Sequence, residues 1–352
     1  MTARCRASMR NRSHECGMRS RTASWRGVAS PPTRISTFTN RSGCRAPSWG
    51  ARCTRGRSRI PELPEVETVR RELAPWLTGR TIVRAERVEA PAGPKYANLD
   101  LAAGQRITHV SRRGKFLVLP LDGRHAAGVA QDLLVIHLGM TGILTPHPPH
   151  AHERVRLTLD EGTNPHVHFQ DVRRFGRFLV LPSGDLAGVP TLATMGPEPL
   201  TDDFTVDGFR RALQGSDVAI KTLLLSQRPV AGVGNIYADE ALWRARIHPA
   251  TPARRVARER ARVEALRTSI RDVLTASIEA QGTTLNDYRT VNGEVGAYLE
   301  QLAAYGHEAD PCPRCGTAIR KIVLAARGTH FCPTCQPTPR RSRSRATRRG
   351  VR

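Results

Sequence analysis

Four cysteines near the C-terminus carry the plainest chemistry in the chain. Cys312-Pro-Arg-Cys315 and Cys332-Pro-Thr-Cys335 are two CxxC pairs separated by sixteen residues, a spacing that suits a tetrahedral four-thiolate zinc ribbon. Two disulfides, or cysteines without a joint role, are the alternatives. With four sulfurs at about 2.3 Å the metal has no open position, so one structural zinc holds a hairpin and activates no water. That hairpin carries Lys321, Arg327, Thr329 and His330, a set suited to nucleic acid. Elsewhere the reactive types read blandly in isolation. Glu62 and Glu65 are first-turn acids that a helix macrodipole favours, and Lys115 in RRGKFL reads as a solvated strand lysine. The GVGN turn (232–235) offers backbone amides to a phosphate, or simply turns tightly.

The elements that must position these groups change character along the chain. From Pro61, PELPEVETVRRELAPWL opens with proline and acids, and Val66, Val69, Leu73 and Leu77 fall at helical spacing. Short β-like runs follow: TIVRAERVEA, RITHVSRRGKFLVLPL, LLVIHLGMTGIL, RVRLTL and HVHFQDVRRFGRFLVLP. Turn residues separate them at the close spacing of a sandwich or barrel. Near residue 195 the pattern becomes helical, with helices expected over 206–214, 217–227, 235–246 and 252–281. The expected fold is therefore α+β.

Composition adds bounds. At 352 residues the chain has room for one large or two ordinary domains. No apolar run reaches the eighteen residues of a spanning helix, so a soluble, cytoplasmic chain without membrane association is expected. The formal charge of +24 is uneven. Residues 1–60 carry 14 Arg, no Lys and one acid, and residues 336–352 carry seven Arg and no acid; removing their +13 and +7 leaves +4 for the body. DNA affinity in the body must then come from arranged charges rather than bulk excess. Of the eight cysteines, Cys5, Cys16, Cys44 and Cys53 are scattered through the first segment and the other four are clustered, a usage that points to an intracellular setting rather than pairs spread through a disulfide framework. Residues 1–60 show no sustained apolar period and are assigned no fold. They read as upstream sequence preceding a true start at Ile60, ahead of an Arg- and Ser-rich transit peptide or a basic arm. The segment from Gln336 reads as a disordered basic tail that adds phosphate affinity.

Eight segments in order resemble one family: PELPEVETVRR (61–71), RRGKFL (112–117), HLGMTG (137–142), DVRRFG (171–176), MGPEPL (195–200), IKTLLLSQRPVAGVGNIYADEALWRARIHP (220–249), GTTLNDY (282–288) and AARGTHFC (325–332). The chain resembles bacterial formamidopyrimidine-DNA glycosylase, the 8-oxoguanine-DNA glycosylase and abasic-site lyase. The resemblance implies an N-terminal β-sandwich over 61–190, a helix-two-turn-helix domain over 195–300, a zinc finger over 302–336 and a basic tail over 337–352. Damaged double-stranded DNA would lie between the halves of a monomer.

The resemblance also implies roles. Pro61 would be the nucleophile, attacking the sugar C1′ to form an imine; an α-amino group with a pKa near 8 is better poised for this than a lysine near 10.4. In the chain as written Pro61 follows Ile60, and a tertiary amide is no nucleophile, so the full-length chain is expected to be inactive until Pro61 is exposed. Glu62 would handle protons, Lys115 would act in β-elimination and Arg327 in δ-elimination. Lys221, Asn235 and Arg327 would clamp phosphates. Met140, Arg173 and Phe175 would fill the gap left by the flipped base, and His152 would contact DNA. The 282–296 stretch corresponds to a mobile loop over the base, and Val172 stands where proline is common. Leu63 favours oxidised purines over the pyrimidine substrates of the endonuclease VIII type, whose start carries glycine there. A non-catalytic zinc DNA-binding protein is the reading from a different class.

Overall fold

The computed structural model describes residues 61–123, 131–283, 291 and 296–339. The chain divides into two units, Met1–Cys53 and Thr54–Arg352, and every described residue belongs to the second. Residues 1–60, the basic tail from Arg340 and most of the 282–296 stretch lie outside the described residues.

Helix α1 (Leu63–Leu77) begins where the sequence places it, with Pro64 in its first turn. Glu65 Oε2 accepts from the Glu62 amide at 2.9 Å, which satisfies one donor at the helix start. Strands β1 (Ile82–Arg87), β2 (Arg106–Ile107), β3 (Ser111–Arg113), β4 (Phe116–Asp122), β5 (Asp132–His137), β6 (Gly142–Thr145), β7 (Glu153–Leu159), β8 (His166–Asp171) and β9 (Arg177–Leu181) follow. They form two antiparallel sheets, one in the order β1-β7-β8-β6 and one in the order β2-β4-β5-β9 with β3 also on β4. Alternation does the sorting. Leu117, Leu119 and Leu121 of β4 meet Val155, Leu157, Val167 and Phe169 of the other sheet in one core, joined by Val66, Val69, Leu73 and Leu77 of α1. The opposite face of the larger sheet buries Phe116, Val135 and Leu179 against Leu192 of helix α2 (Pro190–Ala193) and Met195.

The helical half contains α3 (Val206–Gln214), α4 (Ile220–Leu225), α5 (Asn235–Arg244), α6 (Ala253–Ala257) and α7 (Arg260–Glu279). Two expectations are corrected here. Helix α4 starts three residues later than 217, because Ala219 bridges Pro252 and the Ile220 and Lys221 amides donate to Thr251 O and Pro249 O. The single helix expected over 252–281 is broken at Glu259, whose backbone is extended. The break lets Val256 and Ala257 pack on α3 while Val263, Leu266 and Ile270 turn into the core around α5. The chain ends in a ribbon of β10 (Arg320–Leu324) and β11 (Arg327–Phe331). Gln336, expected in a disordered tail, is fully buried. Its amide donates to Ile247 O at 2.8 Å and its carbonyl accepts from Cys332 N at 2.9 Å, tying the ribbon to the end of the α5 region.

Helix α1 joins the two halves. Leu63 is buried in the helical core whereas Val66 onward belongs to the sandwich. Below it, Glu65 accepts from Tyr237 Oη at 2.6 Å, Thr283 N at 2.8 Å and Thr283 Oγ1 at 2.9 Å. Replacing this buried acceptor leaves the Thr283 and Glu62 amides unpaired, while Tyr237 Oη keeps Ser277 Oγ at 2.6 Å. Glu65→Ala should cost about 3 kcal/mol and lower the melting temperature by roughly 5–10 °C, read by calorimetry on zinc-replete protein; an unchanged melt would contradict the bridging role.

Candidate active site

The N-termini of α1 and α5 converge. Glu62, 3% exposed, turns its carboxylate away from its own helix and onto the start of α5, accepting from Gly234 N at 2.8 Å and Ile236 N at 3.0 Å. Two orphan amides and the positive end of a helix thus hold one carboxylate. A Cβ on Gly234 would collide with both Glu62 Cδ and the Lys115 ammonium, so both groups crowd this glycine. Gln227 sets the turn leading to it, accepting from Gly232 N at 2.7 Å and donating to Val233 O at 2.6 Å.

Burial pushes Glu62 above the ordinary carboxylate range, against the opposing pull of Lys115. Burial likewise holds Lys115 below the ordinary lysine value, with Glu62 acting the other way and Arg327 adding to the depression. An acid raised and an amine lowered, side by side, have their proton affinities drawn toward each other, as a proton-exchanging pair requires. Lys115 lies on the turn between β3 and β4, where Gly114 N donates to Glu198 Oε1 at 2.6 Å. Arg112 bridges Glu67 at 3.1 Å and Glu198 at 2.8 Å, so the turn is braced from both halves of the protein.

Asn235 opens α5, and its Nδ2 donates to Gly328 O at 3.2 Å in the ribbon. Arg327, the neighbouring residue, is exposed. Lys221 departs from the phosphate clamp expected of it. Its side chain is fully buried, with Nζ 2.8 Å from Asp239 Oδ1, 2.9 Å from Thr329 Oγ1 and 3.1 Å from Gly328 O. An ammonium engaged by three protein acceptors supports the ribbon from within.

Met140, Arg173 and Phe175 come together on two turns, β5–β6 and β8–β9. Asp171, fully buried, accepts from Thr141 Oγ1 at 2.6 Å and Gly176 N at 2.7 Å, and Thr141 Oγ1 accepts from Arg173 N at 3.0 Å. Gly139 lets the turns touch, since a Cβ there would strike the backbone of Phe175 and Gly176. Phe175 is 48% exposed, with the Arg173 guanidinium 4.9 Å from its ring centre. His152 is exposed and in the left-handed region, and its carbonyl accepts from Asp171 N at 3.1 Å, at the foot of these turns. Val172 is exposed on the same turn.

His137, which the residue-by-residue reading passed over, joins the two groups. Its Nδ1 accepts from Gly139 N at 3.1 Å and its ring lies 4.7 Å from Phe116. Burial, with Lys115 and Arg177 adding to it, depresses its pKa to about 4. The one signal available was its place at the end of a strand as the first residue of HLGMTG.

The four cysteine sulfurs lie within 4.8 Å of one another, compatible with the roughly 3.8 Å spacing that tetrahedral ligation at 2.3 Å demands. Trp243 Nε1 points at Cys312 Sγ at 3.4 Å, the donor a metal-bound thiolate calls for. Arg314 stacks 4.1 Å from the Trp243 ring and donates to Trp243 O, fastening the ribbon to α5. One structural zinc fits this donor set.

Facing helix starts that cradle a carboxylate beside a lysine, with a zinc ribbon and an exposed aromatic turn alongside, define an enzyme that works on nucleic acid. Family models agree along the chain: the formamidopyrimidine-DNA glycosylase N-terminal domain over residues 60–178, the formamidopyrimidine-DNA glycosylase H2TH domain over 195–289 and the zinc finger found in FPG and IleRS over 309–338. The formamidopyrimidine-DNA glycosylase of Deinococcus radiodurans is 47% identical over 285 residues, covering 79% of this chain and 98% of that protein. The crystal structure of the MutM (Fpg) protein of Thermus thermophilus superposes with a TM-score of 0.71 at 45% identity, covering 78% of this chain and 98% of that one. A Lactococcus lactis FPG mutant, solved with DNA containing Fapy-dG, matches with a TM-score of 0.68 at 34% identity over 79% of this chain and all of its own. The chain belongs to the formamidopyrimidine-DNA glycosylase family, whose enzymes join DNA glycosylase and abasic-site lyase activities.

His137 supplies a pH test. Between its depressed pKa near 4 and the ordinary 6.5 the unfolded chain takes up a proton that the folded protein refuses. Stability should therefore fall as pH drops through that window. Nitrogen NMR of the ring should show a neutral imidazole at about pH 5, well below the usual histidine midpoint; a midpoint at the ordinary value would contradict the assignment.

Proposed function

We propose that this chain excises oxidised purines, 8-oxoguanine and formamidopyrimidines, from duplex DNA and nicks the strand at the resulting abasic site, acting as a monomer about the nucleoid. The observation that carries the reading is the Glu62 carboxylate fixed on the α5 amides beside the Lys115 amine. No helix among the described residues is long and apolar enough to cross a membrane.

The nucleophile is the Pro61 amine, freed of its bond to Ile60. It attacks C1′ of the damaged nucleotide, the base departs and an imine links sugar to protein. Glu62, adjacent in sequence and held by α5, carries protons to and from the opening ring, a task that a pKa raised by burial favours. Lys115, with its lowered pKa, serves the β-elimination and holds the phosphate beside the lesion. Arg327, exposed at the end of the ribbon, serves the δ-elimination. Asn235 and the α5 amides meet the backbone phosphate. Met140, Arg173 and Phe175 occupy the gap left by the flipped nucleotide, while His152 contacts the DNA backbone near their turns. The zinc, when bound, only stiffens the ribbon that carries Arg327.

Leu63, the residue that separates the purine reading from the pyrimidine one in sequence, is fully buried against Gly232. Its link to substrate choice therefore runs through packing of the two helix starts and not through contact with the base.

The form beginning at Pro61 should cleave an 8-oxoguanine duplex, and Glu62→Gln should lower base excision by about a hundredfold in protein that still folds and holds zinc, with a lower melting temperature because the Gln amide meets one of the two α5 amides donor to donor. Wild-type rates in that variant would overturn the role of Glu62, and equal cleavage of undamaged duplex would overturn the substrate class.

A further inference from the structure

Helix α5 does more than hold Glu62. One turn beyond the amides that grip this carboxylate, Asp239 divides its two oxygens between different elements. Oδ1 lies 2.8 Å from Lys221 Nζ of α4, and Oδ2 accepts from the His330 amide of β11 at 2.9 Å. Both side chains of the ion pair are completely buried. Lys221 Nζ continues to Thr329 Oγ1 and Gly328 O. Residues 328, 329 and 330 are thus each tied to α4 or α5, immediately after Arg327. Asn235 adds a second donor to Gly328 O, and Tyr305 packs edge-on to the His330 ring at 5.0 Å.

A buried ion pair is a weak source of stability, since desolvation offsets its attraction, and its best-attested use is to fix one arrangement among several. Here the arrangement fixed is the distance between Glu62, held by the amides at the start of α5, and Arg327, on the ribbon. Arg327 is close enough to act on both Lys115 and Lys221 electrostatically.

We propose that Asp239 is the positioning residue for Arg327, locking the ribbon to the helix that holds Glu62 so that the second elimination follows the first. This rests on the reading that Arg327 serves the δ-elimination. In the β step the 2′ proton is lost and the 3′-phosphate leaves; in the δ step a further sugar proton is lost and the 5′-phosphate leaves. Asp239 touches neither set of atoms and acts only through Lys221 and the 328–330 backbone.

The test uses the form beginning at Pro61, because the relatives that fold as this one does span the matching 78–79% of the chain over 98–100% of their own length. Asp239→Asn keeps the shape and removes the charge. On abasic-site duplex it should lower the ratio of δ to β product about tenfold, as a small displacement of a reacting group does, while borohydride trapping and zinc content stay at wild-type levels. An unchanged ratio, or equal loss of both products in a folded, zinc-replete variant, overturns the proposal. Should Asp239→Asn fail to fold, Thr329→Val decides: it removes one acceptor of Lys221 together with the hydroxyl's own bond to Arg327 O and should shift the ratio in the same direction, an unchanged ratio again overturning the proposal. Arg327→Ala run in parallel separates the two levels. If it leaves the ratio intact, the role of Arg327 fails; if it lowers the ratio while the Asp239 and Thr329 variants do not, the positioning role of Asp239 fails.

Discussion

A single carboxylate at the meeting of two helix starts organises this protein. Glu62 stands where α1 leaves the chain that precedes it, yet its side chain is satisfied by Gly234 N and Ile236 N of α5, more than 170 positions away. That contact fixes the Pro61 end of the sandwich half on the helical half. It also requires a glycine at 234, because any Cβ there would occupy the space of Glu62 and Lys115. The other joints between the halves are built the same way. Glu65 reaches Tyr237 and Thr283, and Glu198 reaches the turn that carries Lys115. Each is a carboxylate from one half collecting donors from the other, so domain placement and site geometry are set by the same bonds.

Electrostatics follow from that burial. The body of the chain is only mildly basic, so nothing in the bulk charge prepares the site for DNA. Instead Lys115 and Lys221 act on Glu62 and Arg327 acts on both lysines, and burial moves the acid up and the two amines down. Because Lys221 is neutralised by Asp239, the cations left to face a phosphate are fewer than the sequence suggests. The ribbon is held by two unrelated means: a thiolate cluster backed by Trp243, Arg314 and Gln336, and the buried pair beneath residues 328–330.

Much of this was legible beforehand. The CxxC pairs give the zinc ribbon because thiolate spacing is a local property, and strand alternation gives the sandwich because one face of each strand must avoid water. Helix α3 falls where its period puts it, over Val206–Gln214. What was not legible depends on partners distant in sequence. Lys221 reads as a free cation until Asp239 and Thr329 are seen around it. The break at Glu259 is invisible to a periodic pattern that continues on both sides, and Gln336 looks like the start of a polar tail until its amide is seen to close the ribbon on Ile247 O. His137 carries only a weak local mark, its place at a strand end in HLGMTG, since its depressed pKa arises from burial beside Lys115. The family resemblance supplied the roles of Pro61, Glu62 and Arg327, which residue type alone could not.

The central claim is that the secondary amine of Pro61, and no lysine, is the group that bonds to the sugar. The most direct measurement is borohydride reduction of the form beginning at Pro61 on an 8-oxoguanine duplex, followed by digestion and mass mapping of the sugar-bearing peptide. The account predicts the adduct on the Pro61 nitrogen, with none formed by the same chain extended upstream through Ile60. An adduct on Lys115, or an extended chain that traps equally well, would contradict it.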